Sequence, residues 1–131
     1  MKLNNKYYIL RHGEAMSNIK RVISSWPETF ENPLTKIGVE TIKESAEKLK
    51  DKNIDLIFAS DLLRTKQTAN IIGKALKIEP EFDKRLREIN FGVMNGGPIT
   101  DLDTRFKKEG ERINKTMSEG ETYEDVLKRM Y

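Results

Sequence analysis

The sequence predicts an α/β domain built on a mostly parallel sheet, and three observations carry that reading. Two short apolar runs, Tyr7-Tyr8-Ile9-Leu10 and Ile54-Asp55-Leu56-Ile57-Phe58-Ala59, have the near-continuous hydrophobic character of strands covered on both faces. A helical pattern lies between them. A second helical pattern follows the second run directly. Parallel strands need a long crossover, usually a helix, so residues 6–60 read as one βαβ unit.

Each element has a local cause. In the first helix, Val39, Ile42, Ala46 and Leu49 fall on one face. Thr35 is placed to cap it, with Pro33-Leu34 leading in. In the second helix Leu62, Thr65, Ala69, Ile72 and Leu76 share a face, with Ser60 or Asp61 as the expected cap and Gly73 as a weak spot. Ile78-Glu79-Pro80-Glu81-Phe82 reads as a short edge strand, because Pro80 argues against a central one. Residues 90–101 read as loop. Residues 101–109 and 122–130 read as helices, the second capped by Thr122. No repeat, low-complexity tract or linker divides the chain, so residues 1–131 are expected to form a single domain. A doubly wound sheet carries about five or six strands, and this sequence supplies fewer. The expectation is that the domain continues beyond residue 131.

Composition narrows the function. The chain has no cysteine, which excludes disulfides, thiolate metal sites and cysteine nucleophiles. It has no apolar run of about 18 residues and no secretory signal pattern, so no membrane role is expected and a cytoplasmic location is. Its 24 basic and 21 acidic residues leave a net charge of +3. That suits a small anion held by a local basic cluster and argues against nucleic acid as a partner. A single histidine, His12, stands in the whole chain.

In open α/β sheets ligands collect beyond the carboxyl ends of the strands. The first strand is followed by Arg11-His12-Gly13-Glu14 and the second by Asp61-Leu62-Leu63-Arg64-Thr65. Parallel neighbours would bring Arg11, His12 and Arg64 to one mouth. Two guanidiniums offer paired hydrogen bonds to the oxygens of a tetrahedral dianion. Helix N-termini would add N–H donors, and Gly13 would let the backbone approach the ligand. A neutral imidazole is nucleophilic near pH 7 without a separate base. Glu88, after the basic stretch Lys84-Arg85-Leu86-Arg87, is the candidate proton donor. Glu14 reads as a hydrogen-bonding support. Trp26, in a loop-like stretch, either flanks the pocket or packs.

Ordered motifs add to this reading. Arg11-His12-Gly13-Glu14 with Asn18, Pro33-Leu34-Thr35 with Gly38, Ser60-Asp61-Leu62 with Arg64-Thr65 and Gln67-Thr68-Ala69, then Leu86, Glu88, Phe91 and Gly92, run in order along the chain. Gly120-Glu121 with Tyr123 follows. The series resembles the histidine phosphatase superfamily, which includes the phosphoglycerate mutases. The resemblance implies a three-layer αβα fold and phosphorylation at His12. It implies phosphoryl binding by Arg11 and Arg64 with help from Asn18, and proton donation by Glu88. It implies no metal and no cofactor. The expected reaction is phosphomonoester hydrolysis or phosphoryl transfer on a small phosphorylated metabolite or a phosphoprotein, with inorganic phosphate as a ligand. Phosphatase is favoured over mutase, since no extra basic insertion is seen. The sequence departs from the family in lacking a second pocket histidine, and in reading Val93-Met94-Asn95-Gly96 where an aromatic and then Glu-Gly are usual. The competing expectation is a catalytically lapsed phosphate-binding or structural domain, part of a larger protein.

Overall fold

The computed structural model describes residues 4–106, 111 and 118–131. Two long helices dominate. α1 is one short turn of helix, Met16–Lys20, and α2 runs Lys36–Leu49. Thr35 caps α2 as expected, its hydroxyl accepting from the Gly38 N–H at 3.0 Å. α2 ends where Lys50–Lys52 tighten into a 3-10 turn and Asn53 turns left-handed. α3 runs Leu63–Leu76 and ends on left-handed Lys77. The two pack on each other through Ile42, Ala46 and Ile72, with Leu49, Ile57, Ile71, Ala75 and Leu76 around them. Gly73 is more than tolerated. A Cβ there would stand 2.5 Å from the Ile78 carbonyl and 2.9 Å from the Pro80 ring, so the glycine lets α3 rest against the chain that leaves it.

β1 (Phe58–Ala59) and β2 (Glu81–Phe82) pair in parallel, Phe58 opposite Glu81 and Ala59 opposite Phe82. Of the expected edge strand at residues 78–82, the last two residues pair, beyond Pro80. A second core lies beyond it: Ile23, Ile89, Phe91 and Leu102, with Met94, Phe106 and Val126 against them. α4 (Thr100–Arg105) and α5 (Tyr123–Met130) close this side. Thr122 caps α5 with a reciprocal bond from its own N–H to Asp125. Residues 107–109 of the expected 101–109 helix lie outside the described residues.

Four expectations are corrected. Tyr7–Leu10 joins no ladder among the described residues, and Ile9 is 99% exposed. An apolar run states what a segment can pair with; it does not supply the neighbour that burial on both faces requires. Of Ile54–Ala59 only the last two residues pair, because the ladder to β2 begins at the Ile57 carbonyl. The 90–101 loop contains a 3-10 turn at Gly92–Met94, and α4 starts within it. Neither Ser60 nor Asp61 caps α3, whose N-cap is Leu62 with no side-chain bond. The Ser60 hydroxyl bonds Thr65, and Asp61 takes two bonds of 2.6 Å from Arg87. Two charge-assisted bonds outweigh one capping bond.

Candidate functional site

The loop that carries His12 is fastened to α2 and α3 by side-chain bonds and close glycine contacts. The Gly13 N–H donates to the Thr68 hydroxyl at 3.2 Å, and that hydroxyl donates to the Arg64 carbonyl one turn earlier in α3. The loop carrying His12 is thus fastened to the helix carrying Arg64. Neighbouring parallel strands, the expected cause of this convergence, are not what produces it. Gly13 also has a different task from the one expected. A Cβ on it would meet the Gly38 carbonyl at 2.7 Å and Ile42 Cγ1 at 2.8 Å. The missing side chain lets the loop seat on α2.

His12 is partly buried. Its Nδ1 lies 2.7 Å from the Gly13 carbonyl oxygen, which can only accept. Nδ1 of the neutral ring therefore holds the hydrogen, and Nε2 keeps its lone pair. Burial lowers the His12 pKa below 6.5; the Gly13 bond opposes this, while the charges of Arg64 and then Arg11 add to it. Together these favour the neutral ring.

Arg64 is buried, 3% exposed. Its Nη2 donates to the Ser24 carbonyl at 3.2 Å and its Nη1 to the Ser24 hydroxyl at 3.3 Å, with Glu28 at 3.4 Å. Burial lowers its pKa, and the Glu28 and Glu88 carboxylates oppose that while Arg11 adds to it. His12, Arg11, Arg64 and Glu88 are linked by these mutual fields. Arg11 and Glu88 are exposed. Glu88 forms no ion pair with its basic neighbours, for Arg85 pairs with Asp83 and Arg87 with Asp61.

Asn18 also serves the backbone of its own turn. Its Oδ1 accepts from the Ala15 N–H at 2.9 Å, closing the start of α1. The N–H groups of that helix are also occupied: Met16 donates to the Pro33 carbonyl and Ser17 to Asn32 Oδ1. They are not free for an anion as the sequence suggested. Glu14 is the expected support, accepting from the Thr35 hydroxyl at 2.7 Å. Trp26 donates its ring N–H to the Glu88 carbonyl at 2.8 Å, and the Arg87 guanidinium lies over its ring. Sequence reasoning passed over Ser24, Glu28 and Thr68. Only Thr68, on the α3 face with Arg64 and inside a recognised motif, carried a usable signal.

On this α/β scaffold Arg64 and Arg11 stand within electrostatic reach of His12, and Glu88 within reach of Arg64. Residues 7–131 match the histidine phosphatase superfamily (branch 1), and the chain belongs to it. A probable phosphoglycerate mutase GpmB of Yersinia pestis (strain Pestoides F) is 36% identical over 133 residues, covering 95% of this chain and 59% of that protein. Among solved structures, a mycobacterial glucosyl-3-phosphoglycerate phosphatase in complex with VO3 superposes with a TM-score of 0.77 at 25% identity, covering 90% of this chain and 57% of that one. The protein TTHB049 from Thermus thermophilus gives a TM-score of 0.72 at 30% identity, covering 92% and 65%. The fold is the α/β fold of these proteins. The chain spans about 59% of the length of the curated relatives it matches.

Proposed function

We propose that this chain carries the phosphoryl-accepting part of a phosphomonoester-hydrolysing site, with His12 as the nucleophile. The observation that supports it most is the His12 Nδ1–Gly13 carbonyl bond, which leaves Nε2 as a lone-pair donor within the fields of Arg11 and Arg64. In the first step Nε2 attacks phosphorus. The N–P bond forms, the ester P–O bond breaks, and the leaving alkoxide takes a proton from the Glu88 carboxyl. Arg11 and Arg64 neutralise charge on the equatorial oxygens. In the second step water attacks phosphorus and gives a proton to the Glu88 carboxylate, while the N–P bond breaks and returns its electron pair to Nε2. The products are orthophosphate and a neutral His12.

The substrate class is a small phosphorylated metabolite. The relatives' names point to phosphoglycerate esters, and hydrolysis is favoured over mutase chemistry. The deciding experiment is chemical. Acid-labile phosphate should accumulate on His12 from a reactive ester and be absent in His12→Ala. Binding of orthophosphate or vanadate with no trapped phosphohistidine would instead establish a lapsed, phosphate-binding domain.

A further inference from the structure

The segment that carries Glu88 has no regular structure to hold it. After the 3-10 turn at Lys84–Leu86 it runs without helix or ladder to Phe91. Its backbone is satisfied by side chains, chiefly one guanidinium 41 residues further along the chain. Arg129, on the last turn of α5, bonds the Arg85 carbonyl through Nη1. Through Nη2 it donates to the Arg87 carbonyl at 2.8 Å and the Glu88 carbonyl at 3.3 Å. The guanidinium is itself aimed by Glu121, whose Oε1 accepts from Nε at 2.9 Å and whose Oε2 lies 3.2 Å from Nη2. The same Oε2 accepts the Asn90 N–H at 2.9 Å, and the Glu121 N–H donates to the Asn90 carbonyl at 2.8 Å. The pair is largely buried, with side chains 20% and 15% exposed.

We propose that Arg129, aimed by Glu121, is a positioning residue that sets the Glu88 carboxyl against the phosphoryl pocket. The inference rests on the reading of Glu88 as proton donor. The structural logic is the planar fork: a guanidinium reaches several carbonyls at fixed angles, and a lysine ammonium does not. Asp61 holds the same segment by the Arg87 side chain. Arg129 holds it by the backbone, which fixes where the Glu88 side chain starts.

Trp26, the only tryptophan, reports this directly because its ring N–H bonds the Glu88 carbonyl. The test compares wild type with Arg129→Met, Arg129→Lys and Glu88→Gln. Two quantities are read: Trp26 emission, and single-turnover phosphorylation of His12 from an alkyl phosphate and from 4-nitrophenyl phosphate. An alkoxide needs a proton to leave, whereas nitrophenolate leaves without one. Loss of a general acid costs on the order of 10²-fold or more. Glu88→Gln should therefore slow the alkyl ester about that much more than the aryl ester. Arg129→Met should move the ratio the same way, at least about tenfold, with altered Trp26 emission, and Arg129→Lys should not restore it. The His12 titration should stay in place, which separates displacement of the segment from loss of the fold. Equal slowing of both esters, or unchanged Trp26 emission in Arg129→Met, overturns the proposal. If Glu88→Gln leaves the ratio alone, or neither ester phosphorylates His12, the reading of Glu88 itself has failed, and the positioning role falls with it.

Discussion

Gly38→Ala separates helix propensity from tertiary contact, because the two predict opposite signs. Gly38 sits in the first turn of α2. Propensity alone favours alanine by about 0.5–1 kcal/mol. The structure opposes this. A Cβ at residue 38 would lie 2.1 Å from the Glu14 carbonyl oxygen, 2.8 Å from its nitrogen and 3.0 Å from its carbonyl carbon. All three are backbone atoms, so no rotamer change relieves the clash. The loop must lift away, and overpacking of this kind costs roughly 1–3 kcal/mol. Lifting also strains the 2.9 Å bond from the Thr35 N–H to the Glu14 carbonyl and the 2.7 Å bond from the Thr35 hydroxyl to Glu14. Each is worth about 0.5–1.5 kcal/mol net. The expected result is destabilisation by about 2–4 kcal/mol, combining those contributions. It is read as a lower urea midpoint at unchanged slope. A raised midpoint would refute the claim that the His12 loop is seated on α2 through paired glycines.

Further outcomes follow from the charges. His12 is the sole histidine, so one NMR titration follows it; it should titrate below 6.5, and orthophosphate should raise its pKa by bringing negative charge to the ring. Because the folded value is the lower one, folding favours the neutral ring. That contribution is full above pH 6.5 and is lost as pH falls from 6.5 through the folded value, so His12→Asn should flatten stability in that window. Arg64→Met should abolish vanadate binding and cost about 2–4 kcal/mol, since it strands the Ser24 carbonyl and Glu28; near-native vanadate affinity would remove Arg64 from the pocket. The bond from Arg87, then burial acting against it, leaves the Asp61 pKa below the usual carboxylate range. Its stabilisation is therefore present above that range and lost as pH falls through the folded value, and Asp61→Asn should cost about 1 kcal/mol at pH 7 and much less in acid.

What could be read from the sequence follows a physical division. α2 was legible because its cap and its apolar face are local: Thr35 and the buried Ile42 and Ala46 lie where the pattern put them. The edge strand was legible because Pro80 restricts its own neighbourhood. The candidate site was expected from residue types, and the structure sets Arg64 and Arg11 within electrostatic reach of His12. Partner choice was not legible. Nothing local to Asp61 says that it meets Arg87, or local to Arg64 that it meets Glu28. Nothing in the Asn18 motif says that its side-chain oxygen accepts from the Ala15 N–H of its own turn. The run Tyr7–Leu10 has the composition of a buried strand, but burial belongs to a pair of segments, and composition describes only one of them.

The motifs that appear separate along the chain are one mechanical joint in space. Gly38 is apposed to the Glu14 backbone, and Gly13 to Gly38. The Leu34 N–H donates to Gln67 Oε1 at 2.7 Å, and Gly13 donates to Thr68. Stretches near residues 13, 34 and 67 therefore hold one another, and His12 is carried at their junction. This explains how, with only a two-stranded sheet among the described residues, the imidazole is still set within electrostatic reach of Arg64. In the proposed chemistry the order that in-line attack would need comes from glycine contacts and amide bonds to two packed helices, since residues 7–10 join no ladder among the described residues. It also divides the labour in the proposed chemistry. The nucleophile rides on α2 and α3, while Glu88 rides on a segment held by Arg129 of α5. Disturbing the first joint should impair phosphohistidine formation from every ester alike; disturbing the second should be felt only where the leaving group needs a proton.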